Sequence, residues 1–168
     1  RQKLCKGMER SCADALIAIL HQEGKIRKLG DRYALSDFTV TLTKRQRGIR
    51  EKLMGIYSTA GIETPITEHV MEGFPSNERS EAKQVLESLL TSGELVLLTP
   101  QICLYRKDYD RILEAAKLHF ESNDSLTLAQ LRDLMNTSRK YAQAIIEYFD
   151  KIHITKKDGD IHYLDQGF

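Results

Sequence analysis

Three times along the chain, a run of apolar residues at helical spacing is followed by two short apolar stretches broken by a turn. The first pass holds Leu16, Ile17, Ile19 and Leu20, then Gly24. Its hairpin reads Lys25-Ile26-Arg27-Lys28, a turn at Gly30-Asp31, and Arg32-Tyr33-Ala34-Leu35. The second pass holds Val85, Leu86, Leu89 and Leu90, then Gly93. Glu94–Leu98 and Ile102–Tyr105 follow around a turn at Thr99-Pro100-Gln101. The third holds Ile145, Ile146 and Phe149, then His153-Ile154-Thr155, a turn at Asp158-Gly159, and Asp160–Leu164. Asp-Gly favours the left-handed backbone of a tight hairpin turn.

The helix ends recur about every 60 to 70 residues, which is one small folding unit per repeat. Two further helices are expected before the long one in each complete repeat. In the second repeat these are about Arg47–Tyr57 and a short helix opened by Thr64-Pro65, a cap followed by proline at the first helical position. That short helix is expected to end at Gly73-Phe74-Pro75, with the long one starting near Ser76–Glu78. In the third they are Tyr109–Ser122, with Ile112, Leu113, Ala116 and Phe120 on one face, and a short helix opened by Thr127-Leu128-Ala129-Gln130, a capping box. Asn136-Thr137 makes the turn into a long helix over Ser138–Lys151. Helix, helix, tight turn, helix and hairpin make a winged helix.

The fold class expected is therefore mainly α with small β-hairpins (α+β), as tandem winged-helix units. Residues 1–43 have room only for a long helix and a wing, residues 44–107 make a complete spacer unit, and residues 108–168 make the last unit. The chain starts without Met, and the truncated first repeat suggests a piece of something longer.

Composition narrows the function classes. The 168 residues are 41% hydrophobic and 29% charged, a foldable mixture, with no Trp, which suits several small cores better than one large one. No apolar run reaches the roughly 20 residues that cross a bilayer, so no membrane association is expected. The scattered Cys5, Cys12 and Cys103 read as reduced thiols of a cytoplasmic protein. A net charge of +1 gives no bulk signal for nucleic acid. There is no Gly-rich phosphate loop ending in Gly-Lys-Ser/Thr, and no catalytic constellation, so neither a nucleotide cofactor nor enzymatic activity is expected of this chain. His153 and His162 lie on the two arms of the last hairpin but have no third ligand beside them, so no metal site is expected.

Cations are better placed than they are numerous. Arg132 lies in the short helix of the last repeat. Ser138, Arg139, Lys140 and Tyr141 open its long helix, and Lys156 and Lys157 precede the turn of its wing. The start of the second helix of a helix-turn-helix is the part that meets nucleic acid, where free backbone N–H groups and the helix dipole attract phosphate. Cations there oppose the dipole and serve stability poorly. The middle repeat opens its long helix with the mixed Asn77-Glu78-Arg79-Ser80-Glu81 and has an uncharged wing tip, which reads as a spacer.

Leu131-Arg132-Asp133-Leu134-Met135-Asn136-Thr137-Ser138-Arg139-Lys140-Tyr141-Ala142, continued by Ile146-Glu147-Tyr148-Phe149-Asp150 and by Ile154-Thr155-Lys156-Lys157-Asp158-Gly159-Asp160, closely resembles the last winged-helix domain of the bacterial selenocysteine-specific translation elongation factor. The resemblance departs at Lys156-Lys157, where arginines are expected. It implies that the full factor is a GTPase carrying selenocysteinyl-tRNA on domains absent here. Its last winged helix would bind an mRNA hairpin, the selenocysteine insertion element (SECIS), and deliver the tRNA to an in-frame UGA codon on the ribosome. Arg132, Ser138, Arg139 and Lys140 would then hold the stem backbone, and Tyr141, Lys156, Lys157 or His162 would meet a flipped-out loop base. The chain is expected to be a monomer. Two other readings are a winged-helix DNA-binding regulator and a protein-interaction array. The exposed positions expected after Tyr141 are Gln143, Glu147 and Asp150, and the two acids speak against a helix laid in a DNA groove.

Overall fold

The structure is a computed structural model that describes residues 10–29, 32–35 and 42–165. The first repeat contributes a helix α1 (Arg10–Gln22) and a two-stranded hairpin, β1 (Ile26–Leu29) with β2 (Arg32–Leu35). The turn expected at Gly30-Asp31 lies outside the described residues.

The middle unit consists of α2 (Lys44–Ala60), α3 (Thr67–Glu72), α4 (Arg79–Ser92), β3 (Leu95–Thr99) and β4 (Ile102–Tyr105). A capping box starts α2, with Thr43 and Gln46 exchanging side-chain-to-backbone bonds of 3.1 and 3.0 Å. Gly93 ends α4 in the left-handed conformation, φ 76°, and its N–H returns to the carbonyls of Leu89 and Leu90. The expected start of the short helix at Thr64-Pro65 is corrected: α3 opens at Thr67 after Ile66. Thr64 lies fully buried instead of capping a helix.

The last unit consists of α5 (Arg106–Ser122), β5 (Ser125–Thr127), α6 (Leu128–Met135), α7 (Arg139–Lys151), β6 (Thr155–Asp158) and β7 (Ile161–Leu164). The capping box that opens α6 forms as its sequence implies, with Gln130 N–H on Thr127 Oγ1 at 3.3 Å and Thr127 N–H on Gln130 Oε1 at 2.8 Å. Asn136 makes the turn into α7 at φ 46°, where a short polar side chain tolerates the left-handed region. The wing turn sits one residue later than expected, since Asp158 pairs with Ile161 and Gly159 (φ 61°) and Asp160 form the loop. A third strand was not expected: β5 pairs with β7, so the sheet order is β5-β7-β6.

The middle and last units are not strung on a linker. α5 begins at Arg106, directly after β4 ends at Tyr105, so the boundary expected at 107/108 falls inside the first turn of α5. Alternation along β3–β4 sends Leu95 and Cys103 into the middle core with Leu53, Tyr57, Val85 and Leu89. Val96, Leu98, Ile102 and Leu104 go into the last core with Tyr109, Ile112, Ala144, Ile145 and Phe149. A hairpin apolar on both faces is thus shared between two cores.

Candidate nucleic-acid interface

The helix-turn-helix of the last unit is α6, the turn at Asn136-Thr137, and α7. One face of α7 supplies Ala142, Ile145, Ile146 and Phe149 to the core. Roughly opposite, Ala144 is also buried, 4% exposed, because β3–β4 of the middle unit packs on it. Thr99, Pro100, Gln101 and Ile102 line an open cleft with Lys140, Gln143, Ala144 and Glu147. The middle of the outer face of this helix is therefore covered at Ala144, while Lys140, Gln143, Glu147 and Lys151 on the same side stay exposed. Gln143 and Glu147 remain at the edge and hydrogen-bond each other at 2.8 Å.

The start of α7 is occupied as well. The Glu63 carboxylate of the middle unit accepts the Ser138 backbone N–H at 2.7 Å and the Thr137 hydroxyl at 3.0 Å. These bonds, the Ser138 N–H first, hold the Glu63 carboxyl below its ordinary range. The Tyr141 hydroxyl donates to the Thr64 carbonyl, and burial, then the nearby Glu63 charge, pushes its phenol up. The Ser138 backbone N–H at the helix start thus already holds an anion, and the Ser138 side chain makes no cap hydrogen bond. With its hydroxyl committed to the middle unit, Tyr141 acts here as part of the joint.

The expected cations divide. Arg139, Lys156 and Lys157 are exposed and make no ion pair among the described residues. Lys140 is exposed, its Nζ 5.1 Å from the centre of the Tyr141 ring. Arg132 is bound to its neighbour Asp133 at 2.6 Å, which partly spends its charge. Lys156 and Lys157 point to opposite sides of the wing, since neighbouring strand residues alternate.

His162 does not match its expected role. It is 4% exposed, and its Nδ1–H donates to the Asp150 carboxylate at 3.0 Å. The buried Thr155 hydroxyl donates to the same carboxylate at 2.6 Å. This network ties the wing to the end of α7, and a base cannot reach the imidazole without breaking it. Asp150, expected as an exposed acid of the helix, is a structural acceptor. Glu63 was not singled out from the sequence, and Asp150 was expected to be exposed rather than bonded. Among the described residues no group of three or more His, Cys, Asp or Glu is placed to hold a metal, and no helix is long and apolar enough to cross a membrane.

This architecture is a tandem winged-helix array with exposed cations at the start of its last long helix and on its last wing. Within the last unit, residues 118–164 match the family model described as "Elongation factor SelB, winged helix". A curated relative, the selenocysteine-specific elongation factor of Desulfomicrobium baculatum, is 28% identical over 155 residues, 92% of this chain. The chain spans 24% of that relative's length. Two solved structures share the fold. The mRNA-binding domain of SelB from E. coli, solved with SECIS RNA, matches over 74% of this chain and 100% of its own, with a TM-score of 0.58 and 19% identity. The bacterial selenocysteine-specific elongation factor EF-Sec matches over 98% of this chain and 27% of its own, with a TM-score of 0.54 and 15% identity.

Proposed function

We propose that this chain is the mRNA-binding end of a selenocysteine-specific elongation factor. Its last unit grips a SECIS hairpin and so tethers a factor carrying selenocysteinyl-tRNA and GTP on domains outside this chain. The tether acts on the ribosome in the cytoplasm, at an in-frame UGA codon, with the chain as a monomer. The grip needs no chemistry from this segment, which serves as an anchor.

One observation carries the reading: Arg139 and Lys140 at the start of α7 and Lys156 and Lys157 on the wing are exposed and make no ion pair among the described residues, while Ala144 on the outer face of α7 is buried against β3–β4. A DNA regulator of this fold lays its second helix along a major groove, and here that face is narrowed by β3–β4 at Ala144 and carries the exposed acid Glu147. An RNA hairpin asks for something different. Its stem offers phosphates and shape to side-chain cations, and its sequence is read from unpaired bases. Arg139 and Lys140, with Arg132 beside its own acid, supply the stem contacts, and Lys156 and Lys157 extend them.

The test is a binding comparison of three probes with the whole chain. These are an RNA stem-loop taken from immediately after a selenoprotein UGA codon, the same stem as a blunt RNA duplex, and a DNA duplex of the same sequence. The stem-loop is expected to bind most tightly and the DNA least. Equal affinity for the DNA duplex would overturn the reading, and failure of all three probes would favour a protein-interaction array.

A further inference from the structure

We infer that Tyr163 is a stacking platform for one unpaired base of the bound RNA, set on the outer face of the wing sheet. This rests on the RNA-hairpin reading above and gives its site a base-reading residue.

The sheet register places three residues abreast. Tyr163 in the central strand β7 lies opposite Ser125 of β5 on one side and Lys156 of β6 on the other. Directly paired residues project from the same face. The next row on that face is Thr127, Ile161 and Asp158. The intervening row, Leu126, His162 and Lys157, belongs to the other face, where Leu126 and His162 are buried. The core thus fixes which way Tyr163 points. Its ring is 42% exposed, packs edge or face on no other aromatic ring, and makes no side-chain hydrogen bond among the described residues.

An aromatic ring left open in the middle of a sheet, with a small hydroxyl residue on one side and a lysine on the other, suits a nucleobase. The ring offers a π-face to any base, the lysine neutralises the attached phosphate, and Ser125 leaves room. The charge also discriminates. The row holding Tyr163 contains no carboxylate, and Asp158, in the next row on this face, sits at the wing tip. β5 runs directly into α6, which carries Arg132, so the platform is continuous with the proposed stem contacts. His162, one of four residues expected to meet a base, is the neighbour that turns inward and holds the strand in place.

The experiment uses the whole chain and two RNA probes. One is the UGA-proximal stem-loop with 2-aminopurine at an unpaired loop position, scanned position by position. The other is the blunt duplex of its stem. Parent protein and Tyr163→Phe should quench 2-aminopurine at one position and bind the stem-loop equally. Tyr163→Ala and Tyr163→Leu should abolish that quench and weaken stem-loop binding roughly tenfold or more, as for loss of one stacked base. Both should leave duplex binding unchanged, and thermal melts should match the parent because the side chain is exposed. Unchanged stem-loop affinity in both variants, or equal weakening on both probes, overturns the platform. In either case a loss on Arg139→Ala would leave the hairpin reading standing. A parent that binds neither probe overturns both.

Discussion

Removing Asp150 should weaken RNA binding, although it removes a negative charge from a helix proposed to lie near phosphates. Its carboxylate accepts from the Thr155 hydroxyl at 2.6 Å and from His162 at 3.0 Å. Thr155 is 1% and His162 4% exposed, so neither can turn to water when the acceptor goes. Leaving a buried donor unsatisfied costs about 1–3 kcal/mol. With two donors orphaned and some relaxation, Asp150→Ala should cost about 2–4 kcal/mol. In a chain of 168 residues that lowers Tm by on the order of 5–15 °C. Asp150→Asn keeps one acceptor oxygen and should fall between. The wing is held to α7 by this network, so the stem-loop should bind the Ala variant more weakly even well below its melting temperature. Calorimetric melts and stem-loop affinity at fixed salt measure both effects. An Asp150→Ala protein that melts like the parent and binds RNA more tightly would refute the reasoning. Asp150 would then be the repelling surface acid that its sequence position suggests.

Arg139→Ala should lose about 1–3 kcal/mol of stem-loop affinity and flatten the log–log salt dependence by roughly 0.7 units, while Lys83→Ala on α4 should be silent. A titration of affinity across salt checks this, and equal behaviour of the two variants would put the interface elsewhere. Burial pushes the phenols of Tyr57 and Tyr109 up to about 12 from an ordinary 10.0. The folded state holds those protons more tightly, so their stabilisation is complete below about pH 10 and is lost as pH rises from about 10 to 12. Denaturant midpoints should drop across that window, and ultraviolet titration of the folded protein should show these two tyrosines ionising late. Ionisation of every tyrosine near 10 with the fold intact would contradict it.

Helices and hairpins were legible because apolar spacing dictates them, and the Thr127-to-Gln130 box was legible because capping is local. β5 was not. Ser125-Leu126-Thr127 is too short to show alternation, and it is a strand because β7 offers it an open edge. The cations were correctly placed on their elements, but which way a side chain faces in the wing is decided by what α7 covers. Alternation alone puts His162 and Tyr163 on opposite faces; it does not say which face is wet. Glu63 could not have been found locally, since it meets α7 across a separation of 75 residues. The sharing of β3–β4 did leave a trace. Leu95-Val96-Leu97-Leu98 is a continuous apolar run, the mark of a strand with packing on both faces. Reading it as the wing of a detached spacer overlooked that mark.

The wings of the middle and last units occupy the same place in their units and have opposite compositions, and that contrast bears on how the proposed anchor would work. β3–β4 is apolar on both faces and becomes common packing for two cores. β6–β7 buries Thr155 and His162 on one face and leaves Lys156 and Tyr163 open on the other. β3–β4 covers Ala144 in the middle of the outer face of α7. The Glu63 carboxylate takes the Ser138 N–H at the helix start. What remains for an RNA is side-chain charge on the first turn of α7 and the open face of the second wing, and both are fixed relative to the middle unit. A tether that must carry the position of an mRNA hairpin to distant domains gains from this. Each rigid joint, Tyr141 on Thr64 and Glu63 on Ser138, removes a hinge that would otherwise let the bound hairpin swing.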